Sequence, residues 1–238
     1  MRNSLQGVYS NEFLLIVNKK VNHKKGNTTA KYQDLADSII KGDNIKSKKI
    51  AQKLVGKGVL AVDILNNGLM PGMAVVGKKF KANEFYIPEV LIAARAMHAA
   101  MDIIKPLLSE SGADTKGKII IGTVQGDLHD IGKNLVGMML EGGGYTVIDL
   151  GVDIPAEKFV EEVKKNKTKI IGLSALLTTT MPGMKEVIDA LKADQETAGT
   201  KVMVGGAPLT QEYADSIGAA GYAPDASSAV DLANDLLS

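Results

Sequence analysis

The chain has no cysteine and no tryptophan. Without thiols there is neither a disulfide framework nor a thiolate metal site, which is compatible with a reducing cytoplasm. An excess of charge of one sign is also missing: 28 basic against 27 acidic residues leave a formal net charge of +1. No basic run is interleaved with aromatics, so nothing suggests a nucleic-acid surface. Proteins and small molecules are the expected partners. Long hydrophobic runs are absent near the start, where Phe13-Leu14-Leu15-Ile16-Val17 is too short to span a bilayer or to serve as a signal-peptide core. No membrane partner is expected, and the chain reads as soluble, unprocessed and cytoplasmic.

Apolar residues make up 45% of the 238 positions, enough for one large core or two small ones. Residues 1–29 are polar and lysine-rich and read as a flexible extension, or as the product of an upstream translation start. From 30 to 110 the spacing is helical: Lys31 to Lys41, Ile45 to Val55 and Val59 to Asn66, punctuated by Gly42, Gly56, Gly58 and Gly68. Pro71-Gly72 then opens a segment to Phe80, and Pro88 begins a longer helix with Val90, Leu91, Ala94, Met97, Met101 and Ile104 on one face. This suits a small antiparallel bundle.

Residues 111–117 read as a linker. Beyond it, strands are predicted near 118–124, 145–149, 169–174, 201–204 and 219–223. Helices alternate with them near 133–141, 155–165, 182–193, 209–216 and 226–237. Regular alternation of this kind implies an α/β domain whose parallel sheet is covered on both faces. Five strands favour the flavodoxin-like, Rossmann-like order 2-1-3-4-5, with its switch point between strands 1 and 3.

The segment Gly126-Asp127-Leu128-His129-Asp130-Ile131-Gly132-Lys133-Asn134 follows the apolar run Ile119 to Val124. His129 is thus placed on the loop beyond a strand's carboxyl end, where open α/β sheets bind ligands. A carboxylate two residues earlier can accept the proton of one ring nitrogen and leave the other free for a metal. The bland reading of Asp127 is a helix N-terminal carboxylate. A phosphate loop is excluded, because one residue too many separates the glycines and Asn134 stands where a hydroxyl is needed. The glycines do not fit the dinucleotide fingerprint either.

The Asp-x-His-x-x-Gly loop, followed by Ser174-Ala175-Leu176 and Gly205-Gly206, resembles the cobalamin-binding module of methyl-carrying corrinoid proteins and methionine synthase. The resemblance implies that His129 displaces the cofactor's benzimidazole and ligates cobalt from below, with Asp127 and Ser174 behind it as a relay. It further implies cofactor contacts from Gly126, Leu128, Asp130, Ile131, Gly132 and Leu176. Thr178, Gly205, Gly206, Tyr222 and Ala226 would line the nucleotide tail. For Gly205-Gly206 the bland alternative is a routine strand-to-helix turn.

Leu69 to Met73, on through Phe80 to Ile87-Pro88-Glu89, is similar to the helical cap of the same proteins. Phe80 and Ile87, with Met70, would lie over the upper corrin face. The sequence departs from the pattern at Asn66, where relatives carry an acidic group. The other bundle methionines are explained by core packing. His98 reads as a boundary residue, with an upper axial ligand as the alternative.

What the resemblance implies is a methyl carrier, loaded as methylcobalamin. It would serve a substrate-specific methyltransferase for methanol, methylamines, betaines or aryl methyl ethers, and an acceptor methyltransferase for tetrahydrofolate or a thiol. A corrinoid-reductive activase would maintain it. Activation of donor or thiol acceptor commonly needs zinc held by Cys and His. With no Cys and only His23, His98 and His129, the chain is expected not to be an enzyme alone. The competing readings are a cobalamin-dependent sensor and a cobalamin store.

Overall fold

The computed structural model describes residues 30–111 and 116–238. The extension expected at 1–29 and most of the linker expected at 111–117 lie outside these.

The run Lys118–Thr123 forms β1, and its residues after Lys118 are all buried. A strand covered on both faces has no polar side to alternate with, so it reads as a continuous apolar run. β2 (Thr146–Asp149), β3 (Ile170–Ser174), β4 (Lys201–Gly205) and β5 (Gly221–Tyr222) complete one parallel sheet in the order β2-β1-β3-β4-β5. β5 is shorter than the predicted 219–223. It pairs with β4 only through Met203 with Gly221 and Val204 with Tyr222.

Five helices alternate with the strands: one between 130 and 143, then Ala156–Asn166, Pro182–Ala193, Gln211–Ile217 and Ala226–Leu237. The side chains of β1 divide between the two layers. Ile120 joins the layer of Phe159, Val187 and Ala214, whereas Ile119 and Ile121 join that of Leu140, Tyr145 and Ala233. The chain reverses direction across the sheet between β1 and β3, so the loops that leave them meet at the carboxyl edge.

Before the sheet come α1 (30–40), α2 (Asn44–Val55), α3 (Ala61–Ile64), α4 (Met70–Lys81) and α5 (Ile87–Ser111). The break expected at Gly68 and Pro71 does not occur. A π-helical turn, Leu65–Leu69, joins α3 to α4, so helical backbone runs from 61 to 81. The wider turn just before Pro71 gives its ring room that a regular α-helix would deny. The two glycines serve close approach to α1: a Cβ on Gly68 would lie 2.8 Å from Leu35, and one on Gly72 3.1 Å from the Ala36 carbonyl oxygen.

The helices within the α/β part are α6 (Ile131–Gly142), α7 (Ala156–Asn166), α8 (Pro182–Ala193), α9 (Gln211–Ile217) and α10 (Ala226–Leu237). The bundle sits against α6 and α10, and Met73 and Val76 of α4 share one buried cluster with Leu135, Met139 and Ala226. Each such large side chain contributes about 1.5–3 kcal/mol by leaving water. The packing also sets the direction of α4. Met70 lies against Gly144 beyond the end of α6, and Gly77 lies against Ser227 at the start of α10. α4 therefore rises toward the carboxyl edge of the sheet and ends there, near Phe80. No described helix is long and apolar enough to cross a membrane.

Candidate functional site

β1 ends at Thr123, and the chain turns at Gly126 with φ +82°, a conformation that favours glycine. The next residue, Asp127, is fully buried. A buried carboxylate is costly unless it is hydrogen-bonded, and this one is surrounded by donors. Its Oδ1 accepts from the His129 backbone N–H at 3.0 Å and lies 2.7 Å from His129 Nδ1. Its Oδ2 accepts from the backbone N–H groups of Leu176 (2.8 Å) and Leu177 (3.3 Å) and from the Thr180 hydroxyl (2.7 Å).

Burial works to raise the pKa of Asp127. The donors, Leu176 N–H, Thr180 and the His129 backbone and ring, outweigh it and hold the carboxyl well below the usual carboxylate range. An ionised Asp127 offers only acceptors, so the ring proton of neutral His129 belongs on Nδ1. Nε2 is then left with a free lone pair. The His129 side chain is 51% exposed. The loop is pinned on its far side by the Thr123 hydroxyl, which donates to the His129 carbonyl at 2.9 Å.

The surroundings of that imidazole are unusual for a protein surface. Leu128 is 72% exposed and Ile131 73%, while Leu176 and Leu177 on the facing turn are 41% and 42% exposed. Large apolar side chains clustered in water mark a binding surface. A Cβ on Gly132 would meet nothing within 4 Å, so this glycine leaves the space beside the loop open. An imidazole with one nitrogen free, on a loop with exposed apolar side chains, is chemically suited to a large, mostly apolar macrocycle with a metal at its centre, the class to which corrinoids belong.

The predicted relay needs one correction. Ser174 is the last residue of β3, and among the described residues its hydroxyl makes no hydrogen bond to Asp127. The turn after β3 folds over the carboxylate, so the residues that reach it come from Leu176 to Thr180. Thr180 holds the place assigned to Ser174. The signal was present as a hydroxyl six residues beyond Ser174, but only the turn's shape brings it back.

Met70 is also corrected. It lies against Gly144, beyond the carboxyl end of α6, about 18 Å along that 12-residue helix from Ile131. It cannot also lie over His129. Asn66 lines the same seam between α4 and α10 as Met70. Phe80 is partly buried in the bundle cluster at the sheet-edge end of α4, and Ile87 is 44% exposed at the start of α5.

Gly126, Asp130 and Thr178 are exposed around the loop and the turn, whereas Ala226 is buried as the first residue of α10. Gly205, Gly206 and Tyr222 stand half-buried at the ends of β4 and β5. A Cβ on Gly206 would lie 1.9 Å from the Ala175 carbonyl oxygen, so this glycine is required by the fold itself. His98 is paired instead with Glu141, Nε2 to Oε2 at 2.6 Å, which ties α5 to the carboxyl-terminal half of α6. That places it away from His129.

Residues 32–105 and 117–231 each match a family described as a B12 binding domain. A corrinoid protein from Desulfitobacterium hafniense (strain Y51) is 45% identical over 207 residues, covering 86% of this chain and 96% of its own. A dimethylamine corrinoid protein from Methanosarcina acetivorans is 44% identical with the same coverage.

Among solved structures, a cobalamin-binding protein from Desulfitobacterium hafniense DCB-2 superposes with a TM-score of 0.72 at 32% identity, covering 86% of this chain and 98% of that one. The methanol:cobalamin methyltransferase complex from Methanosarcina barkeri contains a chain that matches with a TM-score of 0.76 at 32% identity, covering 87% of this chain and 80% of that one. Two of these relatives are named corrinoid proteins, one a cobalamin-binding protein, and one is part of a methyltransferase complex. The histidine-bearing loop, the helical bundle beside it and these matches lead to one conclusion: the chain belongs to the corrinoid proteins of methyltransferase systems, and its cofactor is cobalamin.

Proposed function

We propose that this chain carries a methyl group between two methyltransferases, one that takes it from a small methylated substrate and one that delivers it to tetrahydrofolate or a thiol. The observation that carries this reading is the His129 ring, whose Nδ1 is committed to a buried, ionised Asp127 and which stands on a loop with the exposed apolar side chains Leu128 and Ile131. When bound, cobalamin supplies a cobalt centre able to accept and release methyl groups. His129 would be the residue that holds that centre. Asp127, itself held by Thr180, orients the imidazole, and Leu128, Ile131, Leu176 and Leu177 would receive the macrocycle. Gly205, Thr178 and Tyr222 line the approach for the nucleotide tail.

The bundle, residues 30–110, acts as a lid over residues 118–238, and Phe80 and Ile87 exclude water from the reactive face until a partner displaces them. A methylated amine or methanol is the first donor to assay, because the relatives include proteins named for dimethylamine and trimethylamine and a chain of a methanol methyltransferase complex. A reductive activase restores the carrier after oxidation, and the system works in the cytoplasm.

The experiment is methyl transfer by reconstituted protein with each methyltransferase omitted in turn. Transfer is expected only with both present. Turnover by the carrier alone would overturn the carrier role, and cobalamin binding with no transfer to any partner set would favour a store. Photolysis of the methylated protein tests the lid: Phe80→Ala is expected to lose the methyl group faster while keeping the cofactor.

A further inference from the structure

The last residue of β2 and the turn that follows it toward α7 grip the histidine loop at both ends. Before the histidine, Asp153 Oδ1 accepts the Gly126 N–H at 2.7 Å, and the Asp153 N–H donates to the Asp127 carbonyl at 3.0 Å. After the histidine, in the first turn of α6, Lys133 Nζ donates to Asp149 Oδ2. The Lys133 side chain is only 3% exposed, an unusual position for a lysine and one that needs a partner. Lys133 also donates to Asn134 Oδ1 at 2.8 Å, and Asn134 Nδ2 reaches Asp130 Oδ2 at 3.0 Å, so the grip extends to the residue that follows His129.

The turn is itself fixed to β1. The Thr123 N–H donates to the Gly151 carbonyl and the Ile154 N–H to the Thr123 carbonyl, both at 3.0 Å. Asp149 Oδ1 accepts the Gly151 N–H at 2.8 Å. Asp153 adopts φ +57°, a left-handed conformation uncommon outside glycine though better tolerated by Asp and Asn. Such a residue persists where its surroundings over-determine it, and it points to a role.

We infer that the 149–153 turn, through Asp153 and the Asp149–Lys133 pair, is a positioning element that presets the His129 loop for cobalt. The inference rests on His129 being the ligand. A metal ligand has to be held to within about 0.5 Å of its working position, and two supports divide that task here. Asp127, clasped by the 176–180 turn, orients the ring. The 149–153 turn holds the backbone that carries both Asp127 and His129. Asp153 and Lys133 touch no reacting atom and act through the loop.

The test uses the full chain with Asp153→Gly, which relieves the left-handed backbone and removes only the carboxylate, and Asp153→Asn, which keeps an oxygen acceptor. Lys133→Met releases the other end. One readout is amide hydrogen exchange in cofactor-free protein at His129, whose N–H bonds to Asp127 and not to Asp153. Leu173 and Val204 in the sheet serve as internal reference. The other is titration with added cobalamin, with the nitrogen splitting in the Co(II) spectrum of protein carrying labelled histidine.

Asp153→Gly and Lys133→Met are expected to speed exchange at His129 about tenfold relative to the sheet and to weaken cobalamin binding by about 10–100-fold. Asp153→Asn is expected to restore both. Wild-type exchange and affinity in Asp153→Gly would overturn the inference, as would equal acceleration at His129 and in the sheet. A wild-type Co(II) spectrum without histidine nitrogen would overturn the ligand assignment and the inference together. A normal wild-type spectrum with a silent Asp153→Gly would overturn the inference alone.

Discussion

The Thr180 hydroxyl stands 2.7 Å from Asp127 Oδ2 and at the same time 2.9 Å from the Leu177 carbonyl oxygen. One side chain thereby closes the 177–180 turn and helps to fix the buried carboxylate behind His129. Because the hydroxyl has a single proton, the two contacts share it, and the ionised oxygen is the stronger acceptor.

Thr180→Ala is therefore expected to destabilise the protein by about 1.5–3 kcal/mol, the range for a hydrogen bond to a charged group. It should weaken cobalamin binding by about 10–100-fold. Ser174→Ala, which removes no contact to Asp127, is expected to shift stability by no more than about 0.5 kcal/mol. Urea unfolding and cobalamin titration of both variants check this.

Asp127 should leave a signature in acid. Its pKa is depressed in the folded chain, so its contribution is present above the ordinary carboxylate value of 3.8 and is lost as pH falls below that toward the folded value. In Asp127→Asn that part of the acid-induced loss is expected to disappear. At pH 7 the variant should be less stable by about 1–3 kcal/mol, since an amide NH₂ would face donors. Urea midpoints of wild type and variant from pH 7 to 2.5 measure both effects.

The His98–Glu141 contact makes an opposite prediction in alkali. The hydrogen bond to Glu141 raises the pKa of His98, against burial, with Asp102 aiding and Lys105 opposing. The added stability is full below the ordinary histidine value of 6.5 and is lost as pH rises through the higher folded value. Both side chains are more than a third exposed, so screening limits the effect to less than about 1 kcal/mol. Glu141→Gln is expected to flatten stability between pH 6 and 9, measured by thermal unfolding.

Gly206 has φ +145° and no room for a Cβ beside the Ala175 carbonyl. Gly206→Ala should cost more than about 3 kcal/mol, combining backbone strain with a displaced β3 edge. Gly132→Ala, whose Cβ meets nothing, should leave stability within about 0.5 kcal/mol and act only on cofactor binding. Denaturant unfolding and titration separate the two glycines.

The sheet was legible because burial on both faces of β1 and β3 leaves only apolar choices, and β-α alternation then constrains the order β2-β1-β3-β4-β5. The Asp127–His129 contact was legible because it is local, two residues apart. What stayed hidden depends on how the chain returns. Thr180 reaches Asp127 across 53 positions by way of a turn, and Asp153 reaches Gly126 from another loop. Gly68 and Pro71 look like helix stops, yet α1 lies close enough to need the glycine and the π turn accommodates the proline. Met70 had the right residue type for a lid but sits at the wrong end of α4.

The apolar rim of Leu128, Ile131, Leu176 and Leu177 also bears on how the protein behaves before it meets its cofactor. Such a patch favours contact between molecules, so freshly made chains should self-associate reversibly as their concentration rises. Covering the rim removes that tendency and adds binding energy to the folded state by mass action. Light scattering should therefore show the preparation becoming monodisperse as cobalamin is added, with a melting temperature that climbs in step. Supply of the cofactor then governs how much usable protein accumulates, apart from any methyl transferred.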